Sequence, residues 1–442
     1  MRLRKILPSV ASHHRSLSSE PDEPSRGSRA VLSLAFWFSV CSTAPATAQS
    51  GSLIEDEIDR ALETSVWRAG PFRLTPQIRI GGGYDSNGVS SPTEPVEDVT
   101  FSLAPGLRAV VPLGRRGLID LYEELDFVYY RELEQLRDVF DVTRVGLAFG
   151  GKNLVARVQN EFRDEKIRPS TEFDIPLDQR SNRLRAELSL ALGWRNEVTL
   201  GYQNLRLEYL DPEAQVRGVL VSSLLDRREE TYHLRLSRRL TGKTAAVLEG
   251  AFQLFDFDED AAQRDGQGAK VMAGFAFSPT GNVRGEALLG FKNMVPDFEG
   301  QADFRGLIGA VDVRMGLGRR LVARGLYSRD TVPSVLTSNW FFVENRYGGS
   351  LDIYLARRFF IRPGVVFGRN TYPRAFVFLN TEGERVEDFV EDRFQNYLFS
   401  FNYKLTPTLV VSVGANYENR ESNLPFFAKD RFLLNVGLTS EF

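Results

Sequence analysis

Residues 409–418 read LVVSVGANYE, and the meaning of this stretch lies in its parity. The odd positions Leu409, Val411, Val413, Ala415 and Tyr417 are apolar, whereas the even positions include Ser412, Gly414, Asn416 and Glu418. Successive side chains of a strand point to opposite faces, so the segment predicts a strand with one greasy face and one wet face. Residues 154–163, LVARVQNEFR, keep the rhythm with the parity exchanged: Leu154, Ala156, Val158 and Phe162 against Arg157, Gln159, Glu161 and Arg163. The same alternation returns in 183–192, 270–277, 359–370 and 396–405.

Connections between these segments alternate in length. Short turns rich in Gly, Pro and Asn fall at 112–117, 150–153, 193–196, 240–243, 279–282, 316–319, 356–358 and 406–408. Longer polar stretches fall at 85–98, 131–137, 166–179, 211–226, 258–266, 295–302, 331–342, 372–388 and 421–428. Eight short and nine long connections imply eighteen strands, an even number. The fold expected is all-β: a closed antiparallel transmembrane β-barrel of about 18 strands over residues 71–442, with short periplasmic turns and longer extracellular loops. In lipid every backbone N–H and C=O must pair with a neighbouring strand, so only a closed sheet can span. A soluble propeller or sandwich also alternates, but it does not explain the short-long rhythm.

The chain of 442 residues is 26 % charged and 42 % hydrophobic, and its longest apolar stretch, 30–41, is too short for a spanning helix of ~18–20 residues. Cys41 is the only cysteine, which rules out a disulfide framework or a cysteine-based metal site downstream. Of the histidines at 13, 14 and 233, only His233 lies in the barrel region, so a hydrolytic barrel would depend on it alone. Asp256, Asp258 and Asp260 mimic the start of a calcium loop, but Ala261 and Gln267 stand where the turn glycine and the bidentate glutamate belong. Gly81-Gly82-Gly83 precedes no helix and is no phosphate loop. The expectation is a non-enzymatic protein without cofactor or metal.

Arg26 and Arg29, the apolar run 30–40 and Ala46-Thr47-Ala48 read as an export signal cleaved near Ala48, with residues 1–48 removed. The polar residues 1–25 imply either a long leading region or a later translation start. The remaining chain has 49 basic against 55 acidic residues, a net charge of −6, and no nucleic-acid partner is expected. Its expected location is the outer membrane of a Gram-negative-type bacterium, with outer-membrane lipid as partner. Across 49–70, Ile54, Ile58, Leu62 and Val66 recur at helical spacing, which predicts a short periplasmic amphipathic helix before the barrel.

Stepping by two from Phe442 gives Ser440, Leu438, Val436, Leu434 and Phe432, an outward row ending in an aromatic. This resembles the C-terminal signature read by the barrel assembly machinery, with Ser440 departing from the usual apolar residue. Two aromatic girdles are expected, one of Tyr129, Tyr130, Tyr209, Phe255, Phe257 and Tyr417, the other of Trp194, Phe359, Tyr403 and Phe442.

Parity also assigns the lumen. Pore-lining positions include Arg108, Arg144, Arg157, Arg163, Arg183, Arg185, Arg235, Arg284, Arg314, Arg324 and Arg362, with Arg73, Arg79, Lys270, Lys292, Arg346, Lys404 and Arg431. Inward acids are fewer: Glu161, Glu187, Glu249, Asp312, Asp120, Asp126, Glu197, Glu286, Asp352 and Glu418. A confined pore with excess fixed positive charge concentrates anions, and guanidinium forks suit carboxylate and phosphate. Part of this charge is expected to pair with the acids and stiffen the wall.

The first strand and its exit, residues 74–87, contain a proline and then Tyr84-Asp85-Ser86-Asn87. This segment resembles the opening of the putative β-barrel porin 2 family. The resemblance implies an outer-membrane barrel associated with exopolysaccharide or capsule biosynthesis, passing polymer outward alongside periplasmic polysaccharide-export proteins. An arginine-rich lumen suits an acidic glycan. The alternatives are a general or anion-preferring diffusion porin, a barrel enzyme, or a structural or adhesive barrel.

Overall fold

A computed structural model describes residues 58, 59, 62, 65 and 67–441, except 173, 212–214, 217–218, 259–263, 279–280, 337, 380–384, 407 and 425–426. The export signal, most of the 49–66 segment and Phe442 lie outside the described residues.

Eighteen long strands form the barrel: β1 Phe72–Asp85, β2 Asp98–Pro112, β3 Gly117–Tyr130, β4 Asp138–Gly150, β5 Leu154–Ile167, β6 Leu177–Leu192, β7 Asn196–Tyr209, β8 Arg227–Arg239, β9 Thr244–Phe257, β10 Gly266–Phe277, β11 Val283–Pro296, β12 Phe304–Gly316, β13 Leu321–Pro333, β14 Phe341–Ala356, β15 Phe359–Thr371, β16 Glu391–Lys404, β17 Leu409–Ser422 and β18 Lys429–Glu441. Each pairs antiparallel with the next, and β18 pairs with β1 from Gln77↔Glu441 to Asp85↔Leu433, so no edge is left open. Eight short turns and nine long loops connect them, the loops being L1 (86–97), L2 (131–137), L3 (168–176), L4 (210–226), L5 (258–265), L6 (297–303), L7 (334–340), L8 (372–390) and L9 (423–428).

One parity of each strand is apolar and uncovered. Leu289 on β11 and Leu307 on β12 are 64 % and 68 % exposed, and Phe127, Leu200, Val271, Tyr347, Phe399 and Val436 share that outer face. Such a continuous apolar belt is stable only against lipid. The opposite parity is covered and polar. Three expected girdle positions are corrected by this rule: Tyr130 cannot face lipid beside Tyr129, and Tyr209 and Phe257, 6 % and 3 % exposed, point inward. Phe255 shares the inward parity of Glu249 and packs edge-on against Trp340, with ring centroids 6.3 Å apart. Trp194, Tyr403 and Tyr417 stay on the outside.

Before the barrel, Ile58, Asp59 and Leu62 are helical. Ile58 is buried, and with Leu62 it packs on Val110, Leu118, Ala148 and Val155, an apolar patch at the turn-side ends of β2 to β5. The helix thus sits inside one side of the periplasmic mouth. The helical spacing had extended towards residue 70, but Trp67–Ala69 is already a strand, folded back onto Phe72–Leu74 through Gly70 at φ 62°.

Candidate functional site

The lumen wall is laced with ion pairs, some between strands that are not neighbours. Such pairs can form only across the concave inner face. Arg79 on β1 reaches Glu124 (2.9 Å) and Asp126 (3.0 Å) on β3, and Lys292 on β11 reaches Asp330 (2.9 Å) on β13. Arg235 on β8 binds Glu249 (3.1 Å) on β9 and Glu286 on β11. Arg108 holds Asp120 through two bonds of 2.8 Å. Glu161 is shared by Arg144 (2.8 Å), Arg163 (2.9 Å) and Arg183 (3.9 Å), while Arg185 donates to Gln203 and Arg157 faces Glu187 across the β5–β6 ladder. On the turn side, Arg324 grips Asp312, Arg362 grips Asp352, and Arg284 donates to the Gly281 carbonyl.

Parity reading undercounted the inward acids. Glu124, Glu165, Glu229, Asp330, Glu344 and Asp392 pair with Arg79, Arg163, Arg227, Lys292, Arg346 and Arg420. Several lie at strand tops beside the long loops, where sequence alternation gives way to polar runs. Much of the outer half of the lumen is therefore neutralised. His233 is an inward residue whose ring fills the space a Cβ on Gly201 would need, so it packs against the wall of β7. No group of His, Cys, Asp and Glu able to hold a metal occurs among the described residues.

L3, residues 168–176, dominates the site. It leaves β5 and returns on β6, yet its middle is fastened to β14, β15 and β17. β5 and β14 stand nine places apart in a ring of eighteen, on opposite sides of the barrel. Thr171 Oγ1 donates to Glu344 Oε1 (3.0 Å) and accepts from Asn370 Nδ2 (2.9 Å). Arg420 donates to the Glu172 carbonyl (3.0 Å) while holding Asp392 in a two-point pair of 2.7 Å bonds. The Glu172 side chain, fully buried, accepts from Ser334 Oγ (2.7 Å) and the Val335 amide (2.5 Å) of L7. L3 is thus a bar across the lumen.

L7 closes the roof above it. Val335 packs with Tyr209, Val221, Leu224 and Leu225, while Leu336 packs with Phe342, Tyr372, Phe376, Leu424 and Phe427. The buried Arg264 of L5 donates to the carbonyls of Leu224, Ser334 and Leu336, and Trp340 Nε1 donates to Ala302 O (2.8 Å). Burial lowers Arg264 to about 10, with the Glu172 carboxylate opposing that fall.

Tyr84-Asp85-Ser86-Asn87 lies at the seam where the barrel closes. Asp85 holds Arg431 of β18 in a two-point pair, with Nε at 2.9 Å and Nη2 at 2.5 Å. Ser86 N donates to Phe432 O (2.9 Å), and Phe432 N donates to Ser86 Oγ (2.8 Å). Asn87 folds L1 through Ser91, and Tyr84 OH reaches Glu97 (2.6 Å). The motif is a clasp between first and last strands. Asp85→Ala leaves Arg431 buried without its main partner and is expected to cost about 3–5 kcal/mol. Thermal unfolding of the detergent-refolded barrel measures this, and an unchanged midpoint would contradict the clasp.

The family model described as putative beta-barrel porin 2 matches residues 192–442, more than half of the chain. The chain belongs to that family. In this porin the matched segment runs from the end of β6 to the end of the chain, so the Tyr84–Asn87 clasp lies outside it. No protein of curated function matches the chain significantly. Among solved structures the porin is similar to OpdQ of Pseudomonas aeruginosa, at 10 % identity over 85 % of this chain and 99 % of that one, with a TM-score of 0.48. It is similar to a BenF-like porin of Pseudomonas fluorescens Pf-5 at 11 % identity over 84 % and 99 %, TM-score 0.48. A structure titled a bacterial polysaccharide outer membrane secretin aligns at 8 % identity over 83 % and 98 %, TM-score 0.34. The porin is an outer-membrane transport pore.

Proposed function

We propose that this pore is a gated conduit that exports an anionic polysaccharide through the outer membrane, working with periplasmic export proteins. The observation that carries the reading is L3, fastened to the far wall by buried hydrogen bonds beneath an apolar roof. A diffusion pore needs a standing opening, whereas a wide export channel must stay shut when no polymer occupies it. The arginines Arg183, Arg185, Arg284, Arg314 and Arg324 give the path a positive inner surface below that bar, suited to an acidic glycan. The helix at Ile58 and Leu62, seated in the periplasmic mouth, offers a partner a direct handle on the lumen.

A strain lacking the gene is the test. Surface and secreted polysaccharide should fall while uptake of small anionic solutes stays unchanged. Normal polysaccharide with slowed uptake would make the protein an anion-preferring diffusion porin instead.

A further inference from the structure

The turn-side end of the lumen contains an unusual row. Cross-strand register sets Arg284 of β11 directly opposite Arg314 of β12, and Arg314 directly opposite Arg324 of β13. Like charges in directly opposed positions destabilise a sheet, so such a row needs compensation. The nearby acids are already engaged. Asp312 is held by Arg324, with Nε at 2.7 Å and Nη2 at 2.5 Å, Asp352 is held by Arg362, and Glu286 is taken by Arg235. Arg314, in the middle of the row, has no hydrogen bond or ion pair among the described residues, although Arg324, Asp312, Arg362 and Asp352 all lie within electrostatic reach.

An aromatic pair adjoins this charge. Tyr354 of β14 lies beside Phe360 of β15, with ring centroids 5.4 Å apart, and the Arg362 guanidinium stands 5.6 Å from the Phe360 centroid. Tyr354 is also within electrostatic reach of Arg284 and Arg314. Aromatic faces favour the C–H face of a sugar ring, and guanidinium forks bind carboxylate with two parallel bonds. The side of the mouth matters too. The Ile58–Leu62 helix packs on β2 to β5, nine places around the ring from β11 to β14, so it sits against the opposite wall.

We propose that Arg284, Arg314 and Arg324, with Tyr354 beside them, form a subsite for carboxylate-bearing sugar units at the periplasmic mouth. The proposal rests on the export reading for its biological meaning but not for its chemistry. Carboxylate supplies the counter-charge that Arg314 lacks, and the ring stacks on the aromatic side.

The test is calorimetric titration of the detergent-refolded full barrel with tetragalacturonate, a neutral tetrasaccharide and inorganic phosphate. Tetragalacturonate should bind more tightly than phosphate, and the neutral sugar should not bind measurably. Arg314→Gln should weaken tetragalacturonate about tenfold, equivalent to 1.4 kcal/mol. Because it removes a like charge from the row, this variant should keep the fold, which circular dichroism checks. Tyr354→Leu should weaken the uronate but not phosphate. Phosphate binding as tightly as the uronate, or an Arg314→Gln barrel that binds as before, would overturn the subsite. Uronate binding in vitro with normal polysaccharide in the deletion strain would instead leave the subsite standing and remove the export reading.

Discussion

A barrel in which residues 168–176 are replaced by Asn-Gly is expected to conduct far more than the parent, with a single-channel conductance higher on the order of tenfold. The replacement is geometrically mild, because Ile167 and Leu177 are direct cross-strand partners at the end of the β5–β6 ladder. A two-residue Asn-Gly turn is the favoured way to join such a pair. The far wall keeps its own pairs. Arg420 keeps Asp392, Arg346 keeps Glu344, and Asn370 keeps Asp392 at 2.6 Å. What is lost is the crossing itself, the Glu172 clamp under Ser334 and Val335, the Arg168 bond to Gly88 O, and the Asp174 partner of Lys429 on β18, so the replacement also carries Lys429→Gln to avoid a buried unpaired cation. Planar-bilayer recording decides the matter. If the shortened barrel conducts no more than the parent, L3 is not the constriction and the roof alone closes the pore.

The sequence carried much of the frame and little of the bar. Alternation and the short-long rhythm come from the pleat and from the membrane, both local rules, so the eighteen strands and the inward side of Arg108, Arg144 or Arg235 were legible without any tertiary information. The girdle reading failed where it ignored the same rule, since Tyr129 and Tyr130 are neighbours and must part company. The fastening of Thr171 to Glu344 and of Glu172 to Arg420 joins residues 173 and 248 positions apart. No local period encodes such contacts. A different signal was present all the same. Val335, Leu336, Trp340, Phe341, Phe342, Leu424 and Phe427 are large apolar residues in or beside stretches read as external loops. A loop facing water gains nothing from them, so their presence marks loops that fold inward onto one another. That reasoning finds the roof, although not which loop crosses below it. The Tyr84–Asn87 segment, which carried the resemblance in the sequence but lies outside the matched residues, forms a seam clasp at the first strand's exit.

Closure should also depend on pH through Glu172. Burial is the largest influence on this carboxyl and pushes it up to about 7, against the lowering effects of the Ser334 hydroxyl, the Val335 amide and the charges of Arg264 and Arg420. The geometry explains why those cations do not prevail. Arg420 spends its two-point grip on Asp392, and Arg264 spends its donors on backbone carbonyls, so among the described residues Glu172 has hydrogen bonds but no ion pair. Tyr372, also packed nearby, has its phenol raised well above 10 by burial first and then by Glu172, so it stays neutral throughout. With L3 released, Glu172 meets water and returns to its ordinary value of 4.5. The closed state therefore binds the proton more tightly than the open one, and linkage favours closure at low pH. Closure is strongest below about pH 4.5, weakens as pH rises from there to about 7, and then levels off, a change of roughly 3 kcal/mol across the window. Glu172→Gln imitates the protonated acid, offering an oxygen to Val335 N–H and an amide to Ser334 without ever charging. Recorded from pH 5 to pH 8, the open probability of the parent barrel should climb, while that of Glu172→Gln should stay low and flat. Parallel pH profiles for the two barrels would place the titrating group elsewhere and detach L3 from any control by protons.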